Sequence, residues 1–204
     1  MDFHRHPRTH PQAVLIGFLT LLAWFAPTVT TRADEEFVKI KSVSPDKKFA
    51  MQIVCDATPP DENNIDSSLI KSISLVSLPG KKVVANLLPE EDVQSTFSGV
   101  KLLWSSDARW CAFYYAQPRI GYTSVLHLKD GKFDLVVKPI DLRIPFPKNA
   151  DIRNEYISPV KWTKPGELVI HQSGIFRGGS GDSDRNFTAV FDPEKKKFSV
   201  AGKK

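Results

Sequence analysis

Short runs in which apolar side chains alternate with polar ones recur along this 204-residue chain, and each run leads through a tight turn into another. Alternation at period two puts every second side chain on one face of a strand, so each such pair reads as a β-hairpin. The first pair is 38–43, the turn Ser44-Pro45-Asp46-Lys47-Lys48, and 49–54. The second is 100–104, Ser105-Ser106-Asp107-Ala108-Arg109, and 110–115; the third is 160–162, Thr163-Lys164-Pro165-Gly166, and 167–171. Ser44 and Ser105 lie 61 positions apart and Ser105 and Thr163 lie 58 apart, so a unit of about 60 residues repeats, and a repeat fixes architecture before any single residue does.

Each unit holds a second hairpin. Residues 69–78 reach Pro79-Gly80, where proline presets φ and glycine supplies the positive φ of a type II turn, and 83–85 return. In the second unit 123–128 meets Lys129-Asp130-Gly131 and 133–137; in the third 187–191 meets Asp192-Pro193 and 198–200. Twelve short strands result, and no stretch has a sustained helical period. The expected domain, 34–204, is all-β and consists of three four-stranded antiparallel meanders, about 37–97, 98–156 and 157–204. β-Sandwich and β-prism arrangements both accommodate such units.

The phrases Ser44-Pro45-Asp46-Lys47-Lys48-Phe49-Ala50 and Trp104-Ser105-Ser106-Asp107-Ala108-Arg109-Trp110 resemble the repeat of TolB-like β-propellers, in which Trp-Ser-Pro-Asp-Gly-Lys precedes an apolar strand. The resemblance covers about a dozen residues in each of two units and is degenerate in the third. It implies a propeller-like fold, partial or open, since a closed propeller takes at least four blades. It also implies export and work through protein contacts. This chain departs from the pattern at Lys47 and Ala108, where the family has glycine, and in its longer period.

In a meander of strands a to d, the a–b and c–d turns share one end while the b–c loops and d–a connections share the other. The first set is tight throughout. The second set reads as long: 56–68, 117–122, 173–186, 88–96 and 139–156. Irregular chain on a rigid scaffold is where binding residues concentrate, so this end is the expected working face.

The N-terminus reads as an export signal over residues 1–33. Arg5 and Arg8 precede the apolar stretch 13–26, and Thr31-Arg32-Ala33 offers small residues at a cleavage site before Asp34. Pro27 ends the stretch well short of the roughly 20 residues of a spanning helix, so no membrane span is expected after cleavage. The expected location is secreted or periplasmic. Without residues 1–33 the net charge of +5 falls to +3, because three arginines and one aspartate leave with the signal. The lysines are spread among turns without interleaved aromatics, which argues against nucleic acid as a partner. Cys55 and Cys111 are offset by five residues if equivalent strands pack side by side, roughly 16 Å at the strand rise. A disulfide needs Cα atoms within about 7 Å, so two buried thiols are expected.

Most of the candidate chemistry has a structural reading. Asp46 and Asp107 recur in the turns, where a short acid accepts backbone N–H bonds. Trp104, Trp110, Phe113, Tyr114, Tyr115 and Trp162 alternate along strands as core fillers do. His127 and His171 lie in different units with no third ligand at metal spacing, so no metal and no cofactor are assigned. Ser180 fails the nucleophile-elbow pattern because Asp182 replaces its final glycine, and no catalytic residue is assigned. The glycine-rich stretch 177–185 reads as a hairpin tip; Asp182 and Asp184 there are spaced to offer oxygens to an ion, though without the further ligands of a calcium loop. Arg119 and Tyr122 in the second b–c loop, with Arg177, Asp182, Asp184 and Arg185 in the third, are the expected binding residues, Arg and Tyr being common interface anchors.

These observations point to an exported, non-catalytic β-repeat module that binds a protein or cell-envelope component through its long-loop end, with homo-oligomerisation open. The alternative is a secreted hydrolase acting on glycan or peptide at that end.

Overall fold

The computed structural model describes residues 36–88, 99–138, 142–179 and 181–201. The export signal, most of the 88–96 loop, Ser180 and the start of the 139–156 connection lie outside these residues. The first meander comprises β1 (Phe37–Lys41), β2 (Phe49–Cys55), β3 (Ile70–Ser77) and β4 (Val83–Asn86). The second comprises β5 (Gly99–Trp104), β6 (Trp110–Ala116), β7 (Ile120–Lys129) and β8 (Lys132–Val137). The third comprises β9 (Ile152–Lys164), β10 (Glu167–Phe176), β11 (Asp182–Asp192) and β12 (Lys197–Val200). Every run predicted from alternation is a strand, and the fold is all-β; single 3₁₀ turns at Ser67–Leu69 and Arg177–Gly179 are the helical elements among the described residues. No helix there is long and apolar enough to cross a membrane.

The meanders do not form three separate, purely antiparallel sheets. β1 to β4 make one sheet, whereas the second and third units join in an eight-stranded sheet of order β12-β11-β10-β9-β7-β6-β5, with β8 on β7. The join is a parallel contact of two residue pairs, Ile120 with Glu155 and Gly121 with Tyr156. Gly121 permits it, since a Cβ there would strike the Tyr114 hydroxyl and come within 2.9 Å of the Tyr156 ring. Beyond this point Thr123 Oγ1 still donates to the Ile157 carbonyl at 2.7 Å.

Two cores follow, and β6 is the wall between them. Cys111, Phe113 and Tyr115 face a core shared with Met51, Ile53, Ile73 and Leu75 of the first sheet. Trp110 and Ala112 face a second core with Ile157, Leu168, Ile170, Phe187 and Ala189 of the third meander. A strand buried on both faces carries a nearly continuous apolar run, as Trp-Cys-Ala-Phe-Tyr-Tyr does. Both cysteines are buried and free. Burial pushes the Cys55 and Cys111 thiols above their ordinary value.

Equivalent positions make equivalent joints between layers. The Trp104 indole N–H donates to the Ser42 carbonyl at 2.6 Å, and the Trp162 indole donates to the Leu103 carbonyl at 3.0 Å. Ser42 and Leu103 occupy the same place in successive repeats, as do Trp104 and Trp162, so the a–b turns of all three units point the same way. Within each unit a c–d strand end bonds an a–b turn: Leu78 N to Lys48 O, Leu128 N to Arg109 O, and Phe191 N to Gly166 O. All six tight turns therefore gather at one end.

The Ser-x-Asp turns have one geometry in both copies. Asp46 Oδ1 accepts from Ser44 Oγ at 2.7 Å and from Lys48 N at 3.2 Å; Asp107 accepts from Ser105 Oγ at 2.5 Å and from Arg109 N at 3.1 Å. Lys47 and Ala108, standing where the resembled repeat has glycine, adopt φ of 60° and 56°. The serine and aspartate bonds hold these L-residues in the left-handed region without a glycine, at a cost of about 1–2 kcal/mol. Burial would raise the Asp46 carboxyl, but the Ser44 and Lys48 bonds outweigh it and hold it below its ordinary value.

Three local expectations are corrected. The Pro79-Gly80 turn is not type II: the Leu78–Pro79 bond is cis, and the positive φ falls on Lys81 at 53° instead of on Gly80. The second b–c loop is short, because β7 already begins at Ile120 and Gln117 N bonds Ile120 O at 2.7 Å. The third is the prolongation of a hairpin, with β10 and β11 paired from Glu167–Val190 out to Ile175–Asp182. Pro159 hides the matching length of β9 in the sequence. It sits where the β9–β10 register shifts, leaving Val160 extra, the place a strand tolerates a missing N–H.

His127 stacks on Trp110 with ring centroids 3.8 Å apart. Burial, seconded by the Arg109 charge, holds its pKa below the ordinary 6.5. The neutral ring thus stabilises the fold above that value, and the contribution is lost as pH falls through the depressed folded pKa. The melting temperature should drop between about pH 7.5 and about pH 5.5, and His127→Phe should flatten that drop. An unchanged slope in the variant would assign the acid sensitivity elsewhere.

Candidate functional site

The end opposite the tight turns is shaped by the third meander. β10 and β11 run past the second core and close through Gly178 and Gly181, whose φ values of 72° and 102° only glycine adopts without strain. At this tip a shallow cleft of about 480 Å³ is lined by Arg153, Phe176, Arg177 and Asp182 together with Ile175. Arg177 is 3.5 Å from Asp151, and its backbone N–H donates to the Asp151 carbonyl at 2.8 Å, tying the tip to the start of β9. Arg153 is exposed, and Ile175 retains 42% exposure.

Behind the tip, the segment 142–147 closes the open end of the second core. Leu142 is buried in that core and Ile144 packs against it. Gln172, which is fully buried, pairs the strap's backbone at Ile144: its Oε1 accepts from Ile144 N at 2.8 Å and its Nε2 donates to Ile144 O at 3.0 Å. The same Nε2 lies 3.2 Å from Glu155 Oε1, and Arg143 stands 3.7 Å from the other oxygen of Glu155. Arg185 donates to the carbonyls of Ile144 and Pro145 at 2.8 and 3.2 Å and lies 5.4 Å over the Phe146 ring. Phe146 covers Gly174, where a Cβ would meet the ring at 2.7 Å, and packs edge-on to Phe176.

The residues singled out from the sequence therefore divide. Arg177 and Asp182 meet at the tip cleft. Arg185 and Tyr122 turn inward. Arg185 serves the strap, and Tyr122 packs against the second core, where burial, then the Glu155 charge, raise its hydroxyl pKa against the opposing Arg143. Arg119 is exposed in the short 117–119 turn, its carbonyl accepting from Glu155 N at 2.9 Å. Asp184 faces away from the strap and bonds His171 Nε2 at 2.7 Å. No group of three or more potential metal ligands occurs among the described residues.

Gln172, Arg143 and Arg153 are not among the residues the sequence reading singled out. For Gln172 a signal existed: it continues the core-facing series Leu168, Ile170 at period two, so a polar side chain is forced into the interior and must find partners. Glu155 holds the same relation to Ile157. Comparison with known proteins finds no matching family model, no matching curated protein and no matching solved structure.

Proposed function

We propose that this protein is an exported, non-catalytic β-repeat module, secreted or periplasmic, that binds a protein or cell-envelope partner at the β10–β11 tip. The observation that carries the reading is the tip cleft itself. Two guanidinium groups, Arg153 and Arg177, rim an apolar floor of Ile175 and Phe176, a combination suited to a partner that offers a carboxylate beside an apolar side chain. Three acids nearby are committed to a neighbour rather than to one another, Asp151 to Arg177, Glu155 to Arg143 and Gln172, and Asp184 to His171, while Asp182 lines the cleft beside the guanidinium groups. Paired carboxylates of the kind that drive glycan hydrolysis are not what this arrangement resembles.

A variant carrying Arg153→Glu and Arg177→Glu should fold as the parent does and lose at least about tenfold in retention of its partner from a membrane-free envelope extract. Lys81→Ala with Lys132→Ala, in turns at the other end, should leave retention intact. Equal retention by parent and tip variant would remove the tip from the reading. The hydrolase alternative has one observation in its favour, the His171–Asp184 pair with Ser173 two residues along the same face of β10. If it is right, His171→Gln abolishes turnover of a glycoside or peptide panel.

A further inference from the structure

We propose that the opposite end of the molecule, formed by the six tight turns, is a docking face for an anionic lipid bilayer. Nothing in the sequence marks it, because its cations are scattered along the chain; the stacking of equivalent turns gathers them. The a–b turns contribute Lys47 and Lys48, Arg109, and Lys164, all exposed. The c–d turns add Lys81 and Lys82, Lys129 and Lys132, and the lysine run 195–197, again all exposed. They outnumber the acids of this end, Asp46, Asp107, Asp130, Glu167, Asp192 and Glu194.

Most of those acids point into their turns. Asp46 and Asp107 accept from serine hydroxyls and turn amides, and Asp192 accepts from the backbone N–H groups of Glu194 and Lys195. Glu167 is held by Thr163 and Lys164. Lys48, Lys164 and Lys195 pair with Asp46, Glu167 and Asp192 of their own turns at 3.8, 3.0 and 2.9 Å, while Lys47, Lys81, Lys82, Arg109, Lys129, Lys132, Lys196 and Lys197 stand exposed beyond those pairs. At the other end ion pairs run between elements, Arg177 with Asp151, Arg143 with Glu155 and Lys71 with Glu36, instead of within one turn.

The shape selects a bilayer over a nucleic acid. With layers about 10 Å apart, the turns of three successive units spread these cations over roughly 20 Å rather than along a single stripe. Aromatic rings near the turns are packed on one another, Trp104 and Phe49 on Phe133, and Trp110 on Phe191 and Phe198, so they are not offered to bases. The apolar side chains that do emerge beside the lysines are Val43 and Val83, 48% and 51% exposed, of a size to enter the headgroup region. Juxtamembrane lysines act additively on an anionic surface and are screened by salt.

The test is flotation of the full chain with vesicles of phosphatidylcholine alone and with roughly 30% phosphatidylglycerol added. The N-terminal segment, with Arg5 and Arg8 beside its apolar stretch, is common to parent and variants, so the variant series rather than the lipid comparison isolates the turns. The parent should prefer anionic vesicles and lose that preference at high salt. Lys81→Glu, Lys132→Glu and Lys196→Glu combined should weaken anionic binding about 100-fold and leave binding to pure phosphatidylcholine unchanged. The milder Lys→Gln set at the same positions should give a smaller loss and guards against a folding defect. An unaffected triple variant, an equal loss from Lys71→Glu with Lys148→Glu at the far end, or tighter binding of a short DNA duplex than of anionic vesicles would each overturn the proposal. Vesicle binding reads the turns and partner retention reads the tip, so either reading can fail alone.

Discussion

Phe113→Ala is expected to destabilise the fold by about 3–5 kcal/mol, the range for truncating a fully buried phenylalanine. Its ring is 0% exposed at the centre of β6, and it lies in the core shared by the first sheet and the second meander, stacked on Tyr115 at 6.1 Å. Because β6 is buried on both faces, the walls around the lost ring cannot collapse inward without disturbing Trp110 and Ala112 in the second core. A single domain has about 5–15 kcal/mol in all, so this substitution removes a large share. The denaturation midpoint should fall sharply, whereas Leu135→Ala, at a side chain 55% exposed, should stay within about 0.5 kcal/mol. A loss below about 1 kcal/mol at Phe113 would mean that the two layers are not packed through β6.

The hairpins were legible because period-two alternation and turn chemistry are local. Ser-x-Asp announces its turn whether or not glycine follows, since the hydroxyl and carboxylate close it unaided. What joins the units was not legible. The parallel contact of β7 with β9 depends on Gly121 lying flat against Tyr156, a meeting of residues 35 positions apart that no local pattern announces. The Trp104 and Trp162 joints were visible only as repeated tryptophans, with their carbonyl partners in the preceding unit.

The site divided for a similar reason. Loop and strand were told apart by apolar content, so the polar extensions of β10 and β11, rich in serine, glycine, aspartate and arginine, read as loop. Arg185 and Tyr122 read from the sequence as outward anchors, yet each lies where a neighbouring segment covers it. Arg177 and Asp182 are exposed at the hairpin's end, where they line the tip cleft.

Gln172→Leu should cost about 1–3 kcal/mol, because it leaves the part-buried Ile144 N–H without its acceptor and removes a donor from Glu155 while keeping the volume nearly constant. Hydrogen exchange at the Ile144 amide, slow in the parent, should become one of the fastest-opening sites of the third meander, while the amides of β2 and β3 keep their protection. Protection retained at Ile144 would show that the strap is held by Leu142 and Phe146 packing alone. Gln172→Glu separates the two roles of the side chain. Its carboxylate still accepts from Ile144 N, but it sets a second acid where the amide lay 3.2 Å from Glu155. Two buried carboxylates at that distance cannot both ionise, so their shared proton is held at a raised pKa in the fold. A raised folded pKa contributes stability below the unfolded value and loses it as pH climbs. The variant should therefore grow less stable from about pH 4 to about pH 8, a slope opposite in sign to the one His127 gives the parent, and a parallel pH dependence in the two proteins would show that residue 172 does not meet Glu155.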